Sequence, residues 1–115
     1  MRAEALKGHL EGMLLAVLDE NPLHGYAVLE ALRTDSAGSI DLPSGTVYPA
    51  LHRLETAGLV TSSWAAVGGR QRRIYRLTPA GKRALGEHRR SWTELASVVS
   101  RVMGIGSDMR QAPAG

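Results

Sequence analysis

The chain has 115 residues, 43% of them apolar, carries a net charge of +3 and contains no cysteine. This length suits one small domain and excludes a large multidomain enzyme, and the absence of cysteine excludes a disulfide framework, a thiolate zinc site, an iron–sulfur cluster and a cysteine nucleophile. Because no apolar run approaches the roughly 18 residues of a membrane span and the N-terminus lacks the pattern of an export signal, we expect a cytoplasmic protein.

Two amphipathic helices are predicted in the N-terminal part of the chain. Apolar residues recur at intervals of three and four over about residues 4–20. This first helix should end at Asn21-Pro22, because proline disfavours helical backbone in the residue before it. His24-Gly25-Tyr26 then opens a second, shorter helix that ends near Arg33, and residues 34–43 form a polar connector.

A third helix is predicted to begin at Ser44, whose hydroxyl can cap the free amide hydrogens of a first turn, and to end at Gly58. Pro49 then lies beyond the first turn, so either Thr46 is the true cap or the helix is slightly bent. The apolar stripe of this helix consists of Val47, Leu51 and Leu54.

A hairpin should follow, because the apolar period changes to two after Gly58. Its strands are predicted over Leu59–Val67 and Arg72–Leu77, and residues 68–73 form a strongly basic tip around Gly68-Gly69. We expect Trp64 to pack beneath the hairpin and Arg76 to lie on its solvated outer face.

The last helix is predicted from Thr78-Pro79, a cap followed by proline at the first position, to about Met103. At about 1.5 Å per residue it is ~37 Å long, which exceeds the small body before it, so it should bury its apolar stripe on another chain. That stripe comprises Leu85, Trp92, Leu95, Val98, Val99 and Val102.

The order of these elements predicts a mainly α fold with a small β-hairpin (α+β). We expect a winged helix-turn-helix domain over residues 1–78, a dimerisation helix over 79–103 and a flexible tail over 104–115. Whether the N-terminal helix also joins the dimer interface is left open. In such modules the third helix enters the major groove and the hairpin, or wing, contacts the DNA backbone or the minor groove.

Charge is distributed unevenly along the chain. Residues 1–44 contain three basic and seven acidic side chains, whereas residues 45–78 contain five basic and one acidic, and residues 79–115 contain six basic and three acidic. Such asymmetry predicts a side that faces a polyanion. We therefore expect the third helix to read bases with Ser44, Thr46, His52 and Arg53, and the wing to anchor phosphates with Arg70, Arg72 and Arg73.

Three ordered motifs resemble the PadR family of bacterial transcriptional regulators. They are Pro22-x-His24-Gly25-Tyr26, the run Gly45–Val60, and Gly69-Arg70-x-Arg72-Arg73-x-Tyr75-x-Leu77-Thr78-x-Ala80-Gly81. The resemblance covers about residues 8–85, and the short C-terminal part is similar to the small subfamily with a single C-terminal helix.

The resemblance implies a homodimeric repressor that binds an inverted-repeat operator in double-stranded DNA and is released by a small-molecule effector. It assigns DNA contacts to the three wing arginines and to five residues of the third helix: Thr46, Tyr48, Pro49, His52 and Arg53. It also suggests that Trp92 stacks on a flat aromatic effector. Two alternatives stay open: packing of Tyr48 between helices, and a place for Trp92 in the core of the dimer interface.

Two other functions are compatible with these elements. A winged helix can serve as a protein-interaction module, which would bind any duplex weakly and equally, or as a constitutive DNA binder without an effector. An enzyme is not expected, because the spacings show no Ser/His/Asp or carboxylate constellation. The four histidines lack metal-ligand spacing, so neither a metal nor a cofactor is expected.

Overall fold

The structure, a computed structural model, describes Leu6 and residues 8–106. Within this part of the chain it contains four helices and three strands: α1 (Leu10–Glu20), β1 (Leu23–His24), α2 (Gly25–Asp35), α3 (Ser44–Thr56), β2 (Val60–Val67), β3 (Arg70–Leu77) and α4 (Pro79–Met103). The predicted mainly α fold with a hairpin is confirmed. No described helix combines the length and apolar character needed to cross a membrane.

The chain divides into two compact units, one ending at Leu85 and the other beginning at Gly86. The first turns of α4 thus belong to the first unit, whereas the predicted domain boundary lay between residues 78 and 79. Of the predicted tail, residues 107–115 lie outside the described residues.

Helix α1 begins later than its apolar periodicity predicted. The predicted start near residue 4 lies outside the described residues, and the helix itself begins at Leu10, after a turn at Gly8 and His9. Gly8 has a φ of +88°, which a helix cannot accommodate. The predicted end is confirmed, since the backbone is extended at Asn21.

Strand β1 is a two-residue element that the sequence did not predict. It pairs antiparallel with β3, which lies between β1 and β2 in the sheet. His24 ends this strand and also begins α2, because its Nδ1 accepts a hydrogen bond from the amide of Ala27 at 3.3 Å. The short edge strand therefore fixes the start of α2 against the wing.

The start of α3 differs from the prediction. The N-cap position is occupied by Pro43, and no side chain caps the helix, so neither Ser44 nor Thr46 has the predicted capping role. The carbonyl of Pro43 instead accepts hydrogen bonds from the amides of Thr46 and Val47, at 3.0 and 3.2 Å. Pro49 lies inside the helix.

The end of α3 is as predicted. Gly58 adopts a φ of +79°, and the Leu59 amide returns to the Leu54 carbonyl at 2.9 Å, as in a helix that ends at glycine.

The core of the first unit lies between the three N-terminal helices and the base of the sheet. All residues that are buried in the described part of the chain are apolar or glycine. The largest fully buried side chains are Leu14, Leu15, Val28, Val47, Leu51, Leu54 and Val60. Because α3 packs through its apolar stripe, the opposite face of this helix is turned to solvent.

Candidate nucleic-acid interface

Helix α3 presents most of its predicted DNA-contacting residues on its exposed face. Ser44, Tyr48, Pro49, His52 and Arg53 are exposed, whereas Thr46 is half-buried. The exposed residues recur at helical spacing opposite the stripe formed by Val47, Leu51 and Leu54. The helix therefore offers hydroxyl, imidazole and guanidinium groups on one continuous surface.

Tyr48 both packs and remains accessible. A β carbon built on Gly25 would lie 2.9 Å from Cε1 of Tyr48, so the ring rests on the backbone at the start of α2. The residue is nevertheless 42% exposed. Only a glycine at position 25 leaves room for the ring in this position, which links the motif His24-Gly25-Tyr26 to the geometry of α3.

Arg53 projects from α3 toward α1. Its Nε lies 3.7 Å from Oε2 of Glu11, and its side chain is 61% exposed. An ion pair this long and this exposed is screened by water and contributes little to stability. Arg53 is therefore free to exchange Glu11 for another acceptor.

The second strand of the wing is longer, and the turn is shorter, than predicted. Strand β3 begins at Arg70, so the turn consists only of Gly68 and Gly69, both with positive φ, and the predicted tip over residues 68–73 is wrong. Two consecutive residues with positive φ are typical of the two-residue hairpin turn that matches the twist of the strands.

The register of the hairpin sorts the wing arginines onto two faces. Residues directly opposite in an antiparallel pair share a face. Arg70, Arg72 and Arg76 pair with Val67, Ala65 and Thr61, so these three arginines lie on one face. Arg73 pairs with Trp64 and lies on the other face, together with the residues that meet the core.

Arg73 contacts three side chains on that face: Ser62, Glu55 and Trp64. Its Nε donates to Oγ of Ser62 at 2.9 Å, and the Ser62 hydroxyl donates to Oε2 of Glu55 at 2.6 Å. Its Nη2 lies 3.6 Å from the same Glu55 oxygen. The guanidinium carbon lies 5.6 Å from the centroid of the Trp64 ring, a cation–π distance.

Trp64 does not pack beneath the hairpin as expected. The residue is 64% exposed, and its ring lies against the guanidinium of Arg73. The side chains next to it on the same face of β2 are small, Ser62 and Ala66, so there is little apolar surface on the hairpin to cover the indole.

Tyr75 connects this network to the body of the first unit. It lies on β3 between Leu23 of β1 and Ser62 of β2. Partial burial raises the pKa of its hydroxyl; the charge of Arg73 opposes this rise and that of Glu55 adds to it. The phenol is therefore neutral and can donate a hydrogen bond throughout the physiological range.

Arg33, in the last turn of α2, forms a charge cluster with Glu30 and Asp41 that the sequence did not predict. Arg33 donates to Oδ1 of Asp41 from Nε at 3.2 Å and from Nη2 at 3.0 Å, and to Oε2 of Glu30 at 2.9 Å. The contact with Asp41 is the main cause that raises the pKa of Arg33, and a hydrogen bond to Glu30 raises the pKa of the exposed Tyr26. The cluster attaches the connector to α2.

The described residues contain no group of three histidine, aspartate or glutamate side chains placed to hold a metal ion.

The second unit carries an exposed apolar stripe on α4. Trp92 is 55% exposed, and the apolar residues that follow it at intervals of three and four are exposed as well: Leu95, Val99 and Val102. Val98 and Met103 flank this stripe. Leu85, which the sequence placed on the same stripe, is buried in the core of the first unit.

Comparisons with known proteins agree with this architecture. The model of the transcriptional regulator PadR-like family matches residues 14–87. A transcriptional regulator of Mycobacterium tuberculosis, Rv3488, is 46% identical over 80 residues, which are 70% of this chain and 72% of that protein. A PadR family regulator from Eggerthella lenta has a similar structure, with a TM-score of 0.78, 32% identity and coverage of 90% of this chain and 88% of that chain.

A transcriptional regulator from Clostridium thermocellum shares the fold, with a TM-score of 0.80 at 23% identity, over 88% of this chain and 96% of that chain. The family match covers α2, α3 and the whole wing, which are the elements that carry the candidate interface. The chain therefore belongs to the PadR-like family of transcriptional regulators and is not an enzyme.

Proposed function

We propose that this regulator is a homodimeric repressor that binds an inverted-repeat operator and is released by a small-molecule effector. The observation that carries the proposal is the combination of one polar, exposed face on α3 with one arginine-rich face on the wing. A repressor that acts on an operator works in the cytoplasm, where the chromosome lies.

In this proposal α3 enters the major groove and reads the operator. His52 and Arg53 reach base edges, because both are exposed and Arg53 is held only by a long contact with Glu11. Ser44 and Thr46 add hydroxyl groups to this reading helix, Tyr48 contacts phosphate through its hydroxyl, and Pro49 packs against the sugar–phosphate backbone.

The wing anchors the complex through phosphate contacts from Arg70 and Arg72. Both lie on the same face of β3, next to the turn, and Arg70 is exposed to solvent at the edge of that turn. Phosphate contacts of this kind fix the register of a protein on DNA but carry no sequence information.

Two copies of the chain pair through the apolar stripe of α4. Trp92, Leu95, Val99 and Val102 follow one another at intervals of three, four and three, which is the spacing of a coiled-coil seam. Pairing would set the two copies of α3 about one helical turn of DNA apart, ~34 Å, as an inverted repeat requires.

The effector is proposed to be a flat aromatic molecule that stacks on Trp92 at this interface. An indole exposed on the seam offers a stacking surface of the size that such ligands use. Its binding would change the separation of the two reading helices and so lower the affinity for the operator.

The test of DNA binding is a titration of the protein against the DNA upstream of its own gene at several salt concentrations, with a scrambled fragment of equal length as control. Specific, salt-sensitive binding of two chains per site supports the repressor. Equal, weak binding to both fragments would support the protein-interaction module instead.

The test of the effector is tryptophan quenching by planar cations and phenolic acids, in the protein and in the variant Trp92→Phe. Trp64 remains as the second indole in that variant, so a signal that disappears with Trp92→Phe locates the ligand. Operator binding that is unaffected by every quenching ligand would favour a constitutive DNA binder.

A further inference from the structure

We propose that Arg73 is a positioning residue, which acts through Ser62 and Glu55 to hold the wing at a fixed angle to α3. This inference rests on the proposed use of α3 and the wing on DNA. The sequence grouped Arg73 with Arg70 and Arg72 as phosphate anchors. The inference gives Arg73 a different role from those two arginines.

The network joins three elements of the first unit. Glu55 lies in the last turn of α3, Ser62 lies in β2, and Arg73 lies in β3. Ser62 donates its hydroxyl hydrogen to Glu55 and accepts one from Arg73, so it makes a hydrogen bond in each direction. The reading helix is thereby bonded to both strands of the wing.

Arg73 is poorly placed to serve as a phosphate anchor. Its Nε is engaged by Ser62, its charge is balanced by Glu55 at 3.6 Å, and its guanidinium lies over Trp64. The Glu55 side chain is only 27% exposed, so this pair is screened less than a surface ion pair. A phosphate would have to displace the carboxylate and the hydroxyl together.

Beyond the pairing of β1 with Ile74 and Tyr75, the outer part of the wing has no buried residue that could fix its angle. Val60, at the base of β2, is the last buried residue before the turn, and no residue of β3 is buried. The turn begins about five residues, or ~17 Å, beyond Ser62, so a tilt of about 10° displaces it by ~3 Å. Such a shift exceeds what a hydrogen bond from Arg70 to a phosphate tolerates.

Replacing Glu55 tests the proposal, because electrostatic repulsion and positioning predict opposite changes in the affinity for DNA. An acidic group beside a DNA-binding face ordinarily repels phosphates, so its neutral replacement Glu55→Gln should tighten binding if electrostatic repulsion is its only effect. If Glu55 holds Arg73 and Ser62, the same replacement weakens binding. Ser62→Ala changes no charge and should weaken binding by about tenfold or more, the value of a lost hydrogen bond to a charged group.

The experiment measures the affinity of the full chain for its own upstream DNA in four variants: Glu55→Gln, Ser62→Ala, Arg73→Gln and the double variant of Glu55 and Arg73. We expect each single change to weaken binding and the double change to be no weaker than Arg73→Gln alone. Ser62→Thr, which keeps the hydroxyl, should restore affinity. Ser97→Ala, at an exposed serine of α4, is the control for DNA binding.

A spectroscopic measurement separates positioning from loss of stability. In a Trp92→Phe background the emission of Trp64 reports whether the guanidinium of Arg73 lies over the indole. Ser62→Ala should alter this emission in the absence of DNA, with an unchanged far-ultraviolet circular dichroism spectrum, and Ser63→Ala should leave the emission unchanged.

The outcomes distinguish the two proposals. If the unmodified protein binds its upstream DNA no better than a scrambled fragment, the proposed function fails and the role of Arg73 on DNA fails with it. If specific binding is observed but Ser62→Ala binds as tightly as Ser97→Ala, or Glu55→Gln binds more tightly and its effect adds to that of Arg73→Gln, only the positioning role is overturned.

Discussion

The backbone of Gly81, in the first turn of α4, lies directly against the carbonyl oxygen of Leu59, in the turn that follows α3. The same carbonyl accepts a hydrogen bond from the amide of Thr78 at 3.1 Å. The Thr78 hydroxyl donates to the carbonyl of Gly58 at 2.7 Å and accepts from the amide of Gly81 at 3.0 Å. The start of α4 is thereby fastened to the end of the reading helix.

Gly81→Ala should therefore destabilise the protein, although alanine favours helices. A β carbon at position 81 would overlap the Leu59 carbonyl, and backbone atoms cannot move aside as a flexible side chain can. We expect the free energy of unfolding to fall by about 1–3 kcal/mol, as for other overpacked sites. Chemical denaturation followed by circular dichroism measures this change.

Gly86→Ala is the matched control in the same helix. Its β carbon would meet only Nη1 of Arg90, at 3.7 Å, which is ordinary contact. Here the helix propensity of alanine should raise the free energy of unfolding by about 0.5–1 kcal/mol. Equal stability of the two alanine variants would contradict the close packing of Gly81 on Leu59.

Gly25→Ala should affect DNA binding more than stability. The ring of Tyr48 must swing away from a β carbon at position 25, and it can do so because its end is exposed to solvent. We expect a severalfold loss of affinity for the upstream DNA and a change of less than about 1 kcal/mol in unfolding.

The double variant Gly25→Ala with Tyr48→Ala tests that explanation. If alanine at position 25 acts only by displacing the Tyr48 ring, the double variant should bind DNA as weakly as Tyr48→Ala alone. Additive losses would show that Gly25 influences binding by another route.

The sequence predicted the parts of the fold that depend on apolar periodicity. The stripe of Val47, Leu51 and Leu54 correctly indicated which face of α3 is buried, because helical spacing alone determines that face. Strand β1 was missed, since two residues are too few to show a period of two. Its pairing with β3 depends on contacts between distant parts of the chain.

The face of Arg73 was missed because residues 68–73 were predicted to form the tip of the hairpin, where Arg73 was grouped with Arg70 and Arg72. A shift of one residue in register moves every side chain of a strand to the other face, so the position of the turn decides which arginines lie together. Gly68-Gly69 is itself the signal of a two-residue turn, which pairs Val67 with Arg70 and hence Trp64 with Arg73. The roles of Glu55 and Ser62 had no signal in the sequence, because they depend on where α3 meets the sheet.

Arg70→Ala and Arg72→Ala should weaken binding to every DNA sequence about equally. Both arginines are proposed phosphate anchors, so each removal should lower the dependence of log affinity on log salt by about one. Filter or anisotropy titrations at several salt concentrations measure this slope. Arg89→Ala, an exposed arginine of the second unit, is the control. An unchanged affinity in the double wing variant would contradict the proposed role of the wing.

Arg53→Ala should instead relax sequence specificity. A base-reading contact is worth on the order of 1–3 kcal/mol of discrimination, so the operator should lose more affinity than the scrambled fragment. Titration of both fragments measures the specificity ratio. Glu11→Gln releases Arg53 from its long contact without changing the arginine, and specificity should survive in that variant. Equal losses on both fragments with Arg53→Ala would assign Arg53 to the phosphates.

Val99→Glu should dissociate the proposed dimer. Val99 lies in the middle of the seam that runs from Trp92 to Val102, and a buried carboxylate without a partner strongly disfavours pairing. Sedimentation equilibrium should show a monomer, and operator affinity should fall because two half-sites are no longer bound together. Ser97→Glu places the same charge on the opposite side of α4 and should remain dimeric. If Val99→Glu sediments as the unmodified protein does, the seam of α4 is not the dimer interface.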